Sequence, residues 1–208
     1  MNATARPETK TKLLNAALGV IRAKGYEATR VDDICAAAGV TKGGFFHYFK
    51  GKEELAVAAA DYWSEMTGGF FAAAPYHQHP DPLDRVLGYI DFRKAILTGD
   101  LPEFTCLAGM MVQEVYGTHP AIREACSRSI TGHAATLEAD IAAAKALYAP
   151  DADWTAESLA LHTQVVLQGA FILAKAKGGP EVAAESAGHL RRYVELLFNK
   201  RQPTEERP

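Results

Sequence analysis

Cysteine is scarce: Cys35, Cys106 and Cys126 are all that 208 residues contain. They are too scattered for a disulfide framework or a CxxC metal knuckle, so reduced thiols in a reducing compartment are expected. Long apolar runs are missing as well. The opening stretch MNATARPETKTKLL has no secretory-type apolar segment, and no later one approaches the roughly 20 unbroken apolar residues of a membrane span. A soluble, cytoplasmic chain without a membrane partner is the expectation. Strand-like alternation, internal repeats and low-complexity tracts are also lacking, which argues against all-β and repeat architectures. What remains is 48% hydrophobic sequence, enough for one large or two modest packed domains.

The net charge of −3 conceals an asymmetry. Met1 to Lys52 carries nine Lys/Arg against four acids, a local charge of +5, and the remainder carries −8. Moving the cut to Glu54 lowers the first figure to +3 and keeps its sign. A small basic segment on an acidic body suits one part that meets polyanions and one that does not.

Helical punctuation runs along the whole chain. Leu13, Leu14, Ala17, Leu18 and Ile21 recur at three- and four-residue steps between Glu8 and Lys24, with Pro7 in the first turn and Gly25 as a left-handed stop. In TRVDDICAAAG, Thr29 and Asp32 have capping-box spacing and Gly39 ends the segment. Further helices are predicted near 52–73, 83–98, 103–117, 120–147, 155–177 and 181–199, most of them bounded by prolines. TEERP at the end reads as a frayed tail.

Between the second and fourth helices lies VTKGGFFHYFKGKEEL, whose helix is weak by design. Each glycine in its first turn costs about 1 kcal/mol against alanine, and Lys42 there opposes the helix dipole. A phosphate partner removes the contradiction. Two short helices joined by a tight turn form a helix-turn-helix, whose second helix enters the DNA major groove by its amino-terminal end. Lys42 and Lys52 at two helix starts then meet phosphates, and Gly43 and Gly44 admit the backbone closely. Phe45 and Phe49 anchor the helix inward, leaving His47 and Tyr48 for the DNA side.

The stretch AAGVTKGGFFHYFKGKEEL, with the capped helix before it, resembles the tetracycline-repressor (TetR) family of bacterial transcription regulators. That pattern is A-G-V-[ST]-K-G, an aromatic-rich recognition helix, then F-x-x-K-E-x-L, and the match covers about residues 8–55. Gly44 departs from the usual Ser or Thr, and Phe46 from a common Tyr whose hydroxyl contacts phosphate. The resemblance implies an all-α fold: a three-helix DNA-binding domain at 1–52 with the helix-turn-helix, then a helical bundle at 53–200 for ligand binding and dimerisation, and a tail at 201–208. It assigns Thr29, Arg30, Thr41, Lys42, Gly43, His47, Tyr48 and Lys52 to the DNA side, while Asp32 and Asp33 serve the helix start. Operator double-stranded DNA, a second copy of the chain and a small-molecule effector are the implied partners, with no cofactor and no enzymatic activity.

Within the acidic body, ESLALHTQVVLQGAFILAKAKGG and EVAAESAGHLRRYVELLF supply apolar faces for a four-helix dimer bundle, or for burial inside one subunit. Effector candidates are Trp63, Tyr89, Phe92, Met110, Met111, Gln113 and Gln168, since aromatics and methionines adapt to apolar ligands and an amide orients a polar group; each equally fits plain core packing. Cys106 near a helix start reads either as a thiol sensor of electrophiles or as an inert core thiol. The H-x-H at His77 to His79 lacks further metal ligands, Ser129 and His133 lack a nucleophile elbow, and Glu53 and Glu54 suit helix capping. Two rivals to an effector-released repressor stay open: an all-helical enzyme using the internal pocket, and a DNA binder that answers to no effector.

Overall fold

A computed structural model describes residues 5–199, and every regular element among them is a helix. In order these are α1 (Ala5–Lys24), α2 (Val31–Ala38), α3 (Lys42–Tyr48), α4 (Lys52–Ala72), a short 3-10 turn (Pro75–Gln78), α5 (Pro82–Ala95), α6 (Leu101–Phe104), α7 (Leu107–Val115), α8 (Pro120–Ala135), α9 (Glu138–Tyr148), α10 (Ala156–Lys177) and α11 (Glu181–Leu197). The expected tail at 201–208 lies outside the described residues.

The chain forms two compact units, Met1–Phe70 with Asp100–Gly132, and Phe71–Gly99 with His133–Pro208. This division follows packing. The functional boundary at residue 52 expected from sequence is a separate matter.

In the first unit, Leu13, Ala17 and Ile21 of α1 are buried with Ile34 of α2, Phe45 of α3, Leu55 and Ala59 of α4, Met111 of α7 and Cys126 of α8. The apolar stripe read along α1 is thus its inner face. Gly25 and Gly39 close α1 and α2 with φ of 90° and 63°, the left-handed region that glycine enters without a Cβ penalty. A Cβ on Gly25 would also lie 2.5 Å from Glu114 Oε1 of α7, whose other oxygen accepts the Glu27 N–H at 2.9 Å. The α1–α2 turn is therefore tied to α7.

The capping box of α2 sits one residue later than the spacing suggested. Asp33 accepts the backbone N–H of Arg30 at 2.7 Å, while the Thr29 hydroxyl donates to Gly25 O at 2.5 Å. Two predicted helices are each broken in two. The helix expected at 103–117 is interrupted at Thr105 and Cys106, where the Cys106 thiol accepts the Gly109 N–H at 3.4 Å and caps α7. The helix expected at 120–147 is interrupted after Ala135: the Thr136 hydroxyl donates to His133 O at 2.7 Å, and i→i+3 backbone bonds tighten the turn.

In the second unit α5 packs against α9, α11 and the 3-10 turn, and α10 packs against α9 and α11. By length and composition alone α10 is apolar enough to cross a bilayer, and 44% of that window is buried among its neighbours. Its buried side carries Leu159, Ala160, Leu167, Ala170 and Ala174.

Candidate functional site

Seven residues make α3 too short to hold its own shape, so neighbours must fix it. Thr41 Oγ1 accepts the Gly44 N–H at 3.1 Å and caps its start. Phe45 and Phe49 enter the core, their ring centroids 5.7 Å apart. That anchor turns Lys42, Gly43, Phe46 and His47 outward, all exposed, with Tyr48 half-buried and its ring edge-on to His47 at 4.9 Å. The departures from the family pattern now have physical content. A Cβ on Gly44 would come within 2.8 Å of Val40 Cγ1, so a larger residue there needs the Val40 side chain to shift. On Gly43 it would meet nothing nearer than 4.0 Å, so this glycine leaves the outer surface open. Phe46 is 51% exposed, an apolar ring on the same outward face. The sequence marked Phe46 as a departure from a phosphate-contacting Tyr and left it out of the DNA-facing set, although its position four residues after Lys42 was the signal.

Lys42 reaches Asp32 Oδ1 at 2.9 Å, both side chains being mostly exposed. The bond to Asp32 raises the Lys42 pKa above its ordinary value, so the ammonium is fully charged. Exposed pairs of this kind contribute little in water, and phosphate can replace the carboxylate. Asp33 is held differently, by Lys24 at 2.5 Å and by the α2 start.

The eight sequence candidates for the DNA side do not form one outward set. Arg30, Thr41, Lys42, Gly43 and His47 are exposed, with Tyr48 at their edge. Thr29 is 1% exposed and its hydroxyl faces Gly25. Lys52 lies 4.2 Å above the Tyr26 ring and donates to Tyr26 O at 3.0 Å and Glu27 O at 3.4 Å. Both brace the frame that carries α3.

The effector candidates divide between the two units. In the first, Met111 is buried in the core, Met110 and Cys106 are half-buried, Trp63 lies under the Arg22 guanidinium at 4.9 Å, and the Gln113 amide donates to Gly109 O of its own helix. Burial pushes the Cys126 thiol up to about 12, which makes it inert at neutral pH.

In the second unit Gln168 is half-buried, and Tyr89 and Phe92 both pack beside Phe71 and Tyr76. Here the structure brings together residues that the sequence did not. The Thr163 hydroxyl donates to Ala160 O at 2.7 Å, so it can only accept from Gln164, 3.1 Å away, whose amide nitrogen must face it. That nitrogen also donates to Tyr89 Oη at 3.1 Å, and the Tyr89 proton is then free to reach His133 Nε2 at 3.0 Å. His133 is left with its proton on Nδ1. Burial, and then the nearby Arg93 charge, pushes His133 down to about 3, so it is neutral at pH 7.

Arg93 itself is the unusual member. Its guanidinium carbon lies 5.0, 5.8 and 5.9 Å from the centroids of Phe71, Tyr89 and Phe171. Its Nε is buried with no acceptor, and no carboxylate pairs with the side chain among the described residues. An unpaired buried donor costs about 1–3 kcal/mol, which stacking on aromatic faces offsets by about 2 kcal/mol when desolvated. The sequence signal was Tyr89 and Arg93 one turn apart on α5. His133 was read only beside Ser129, and its Nε2 faces Tyr89 instead.

A third feature lies on α10 and α11. Leu161, Val165, Ile172 and Leu173 of α10 and Tyr193 and Leu196 of α11 are exposed, Val165 by 67% and Leu196 by 76%. A depression of about 290 Å³ between the two helices is lined by His162, Val166, Ser186, His189, Leu190 and Tyr193. No cluster of three or more metal-ligating side chains is found among the described residues, and His77 bonds to Phe71 O at 3.1 Å.

Comparison with known proteins bears on both units. Residues 13–59 match the family model described as bacterial regulatory proteins, tetR family, and residues 82–190 match the tetracyclin repressor-like C-terminal domain. The HTH-type transcriptional regulator CymR of Pseudomonas putida is 47% identical over 59 residues, a stretch covering 28% of this chain and 29% of that protein. A TetR transcriptional regulator from Chloroflexus aurantiacus superimposes with a TM-score of 0.78 at 27% identity, covering 91% of this chain and 96% of the other. The regulatory protein TetR from Rhodobacter sphaeroides has the same fold, with a TM-score of 0.77 at 23% identity over 88% and 97% of the two chains.

Proposed function

This chain belongs to the tetR family of bacterial regulatory proteins, and from that premise we propose that it is a cytoplasmic, homodimeric DNA-binding transcription repressor released from its operator by a small molecule. The observation that carries the reading is the outward face of α3. Lys42, Gly43, Phe46 and His47 are presented together by a helix whose other side is pinned through Phe45 and Phe49. Lys42, Thr41 and Arg30 contact phosphate, while His47 and Phe46 reach base edges, the phenyl ring meeting a thymine methyl. Asp32 yields Lys42 to the DNA on binding.

One such helix reads too few base pairs to be specific, and twofold pairing places two of them about 34 Å apart or a multiple of it. The exposed apolar stripes of α10 and α11 support that pairing as a four-helix bundle. Effector binding in the helical body displaces α4, which begins at Lys52 directly after α3 and is covalently continuous into the second unit. A coupling of about 1–3 kcal/mol lowers operator affinity roughly 5- to 150-fold. We assign no catalytic role: the His133 imidazole is neutral and bonded to Tyr89.

Footprinting on DNA flanking the chain's own gene, followed by competition with random DNA at two salt concentrations, tests the reading. A protected twofold-symmetric site that survives competition is expected. Binding that falls equally for all sequences as salt rises would leave only a nonspecific backbone binder.

A further inference from the structure

We propose that the second unit binds a small apolar or aromatic monocarboxylate, with the Arg93 guanidinium as its counter-ion and the Phe71, Tyr89 and Phe171 rings as its walls. This deepens the effector reading above and rests on it. Two observations on the Arg93 side chain point to an anion as its ligand. Arg93 Nε is buried without an acceptor, and the guanidinium lies against three aromatic rings rather than a carboxylate among the described residues. Rings satisfy the positive charge through their faces but offer the in-plane N–H groups no lone pair. A carboxylate does, because its two oxygens match two parallel N–H bonds of the planar fork.

The neighbours select for the same chemistry. His133 lies 4.7 Å from the Phe71 ring, the ring over which Arg93 sits, and the chain of bonds from Thr163 through Gln164 and Tyr89 leaves its Nδ1–H as a donor. The polar groups on offer are therefore donors set among aromatic rings, which suits an acceptor-rich head on an apolar body. A single guanidinium balances one negative charge. A phosphate dianion would bring a second charge into apolar surroundings without a counter-ion there. Positive charge on His133 is not available to supply it, since burial keeps the imidazole neutral.

The test uses the full chain and three probes, benzoate, phenylacetate and octanoate, each matched with its primary amide, which keeps the shape and removes the charge. Calorimetric titration is expected to show at least one carboxylate bound at least tenfold more tightly than its amide. Arg93→Met should abolish that preference while leaving amide affinity within about twofold, and Arg93→Lys, which keeps the charge without the fork, should fall between. Circular dichroism melting establishes that each variant folds; should Arg93→Met not fold, Arg93→Lys alone carries the test through its reduced selectivity. The proposal is overturned if none of the three carboxylates is preferred over its amide, or if the preference survives removal of the guanidinium. Operator binding is followed separately. Carboxylates that bind through Arg93 yet leave the DNA complex intact would sink effector release and keep the site, whereas release by the amides alone would do the reverse.

Discussion

Replacing Tyr89 with phenylalanine removes one oxygen atom and tests the internal network of the second unit. The ring stays, so packing against Phe71 and Tyr76 at centroid distances of 5.8 Å is unchanged. Two bonds are lost, from Gln164 Nε2 at 3.1 Å and to His133 Nε2 at 3.0 Å. Gln164 is 4% exposed, so its stranded N–H finds no water, and a buried unsatisfied partner costs about 1–3 kcal/mol. His133 is less enclosed and sits at the low end of that range. The expected loss is about 2–4 kcal/mol at pH 7, a fall in Tm of about 5–12 °C for a chain of this size. Urea denaturation measures the first quantity and long-range proton–nitrogen NMR on the histidine ring the second consequence: the wild-type His133 proton resides on Nδ1, and in Tyr89→Phe it redistributes to Nε2. A loss below about 0.5 kcal/mol with the Nδ1 tautomer retained would refute the derived direction of every bond in that chain.

Other outcomes follow from single contacts. Lys42→Ala should weaken operator binding and reduce the slope of log affinity against log salt by about one, measured by fluorescence anisotropy; an unchanged slope removes the phosphate contact. Because His133 falls from its ordinary 6.5 to about 3 on folding, the unfolded chain binds the extra proton between those values. Stability present above pH 6.5 is then lost as pH drops, by up to about 1.4 kcal/mol per unit, and His133→Gln should remove that part of the slope between pH 6.5 and 5 in urea titrations. Gly25→Ala places a Cβ at φ 90° and against Glu114, so a loss of about 1–2 kcal/mol in thermal melts is expected, with no loss if the turn relaxes freely. Val165→Glu, at a position 67% exposed on α10, should convert dimer to monomer in analytical ultracentrifugation without lowering helix content; a dimer that persists places the interface elsewhere.

The helix-turn-helix was readable because its determinants are local. Gly39 and the spacing of Phe45 and Phe49 each act within a few residues, and all three take the expected roles of helix stop and core anchors, while Thr41, expected only on the DNA side, also caps α3. Misreadings arose where a side chain had two local options of similar energy. The Thr29 hydroxyl serves Gly25 O rather than α2, and the cap passes to Asp33. Thr136 turns back on His133 O and divides α8 from α9 without any proline to announce it. Lys52 illustrates a different limit, since its destination is a pair of carbonyls 25 and 26 residues earlier.

From the order of its residues alone this chain declares helices, their stops, a basic amino-terminal segment and a recognition helix, because capping, periodicity and glycine conformation are short-range and additive. Which groups stand together in the second unit depended on folding. Arg93, His133 and Gln164 are 31 to 71 residues apart in sequence, and only the packing of α5, α8 and α10 decides that a cation lies among rings and that a histidine is neutral. Burial and long-range proximity set those electrostatics, and neither is a property of any stretch of sequence short enough to read by itself.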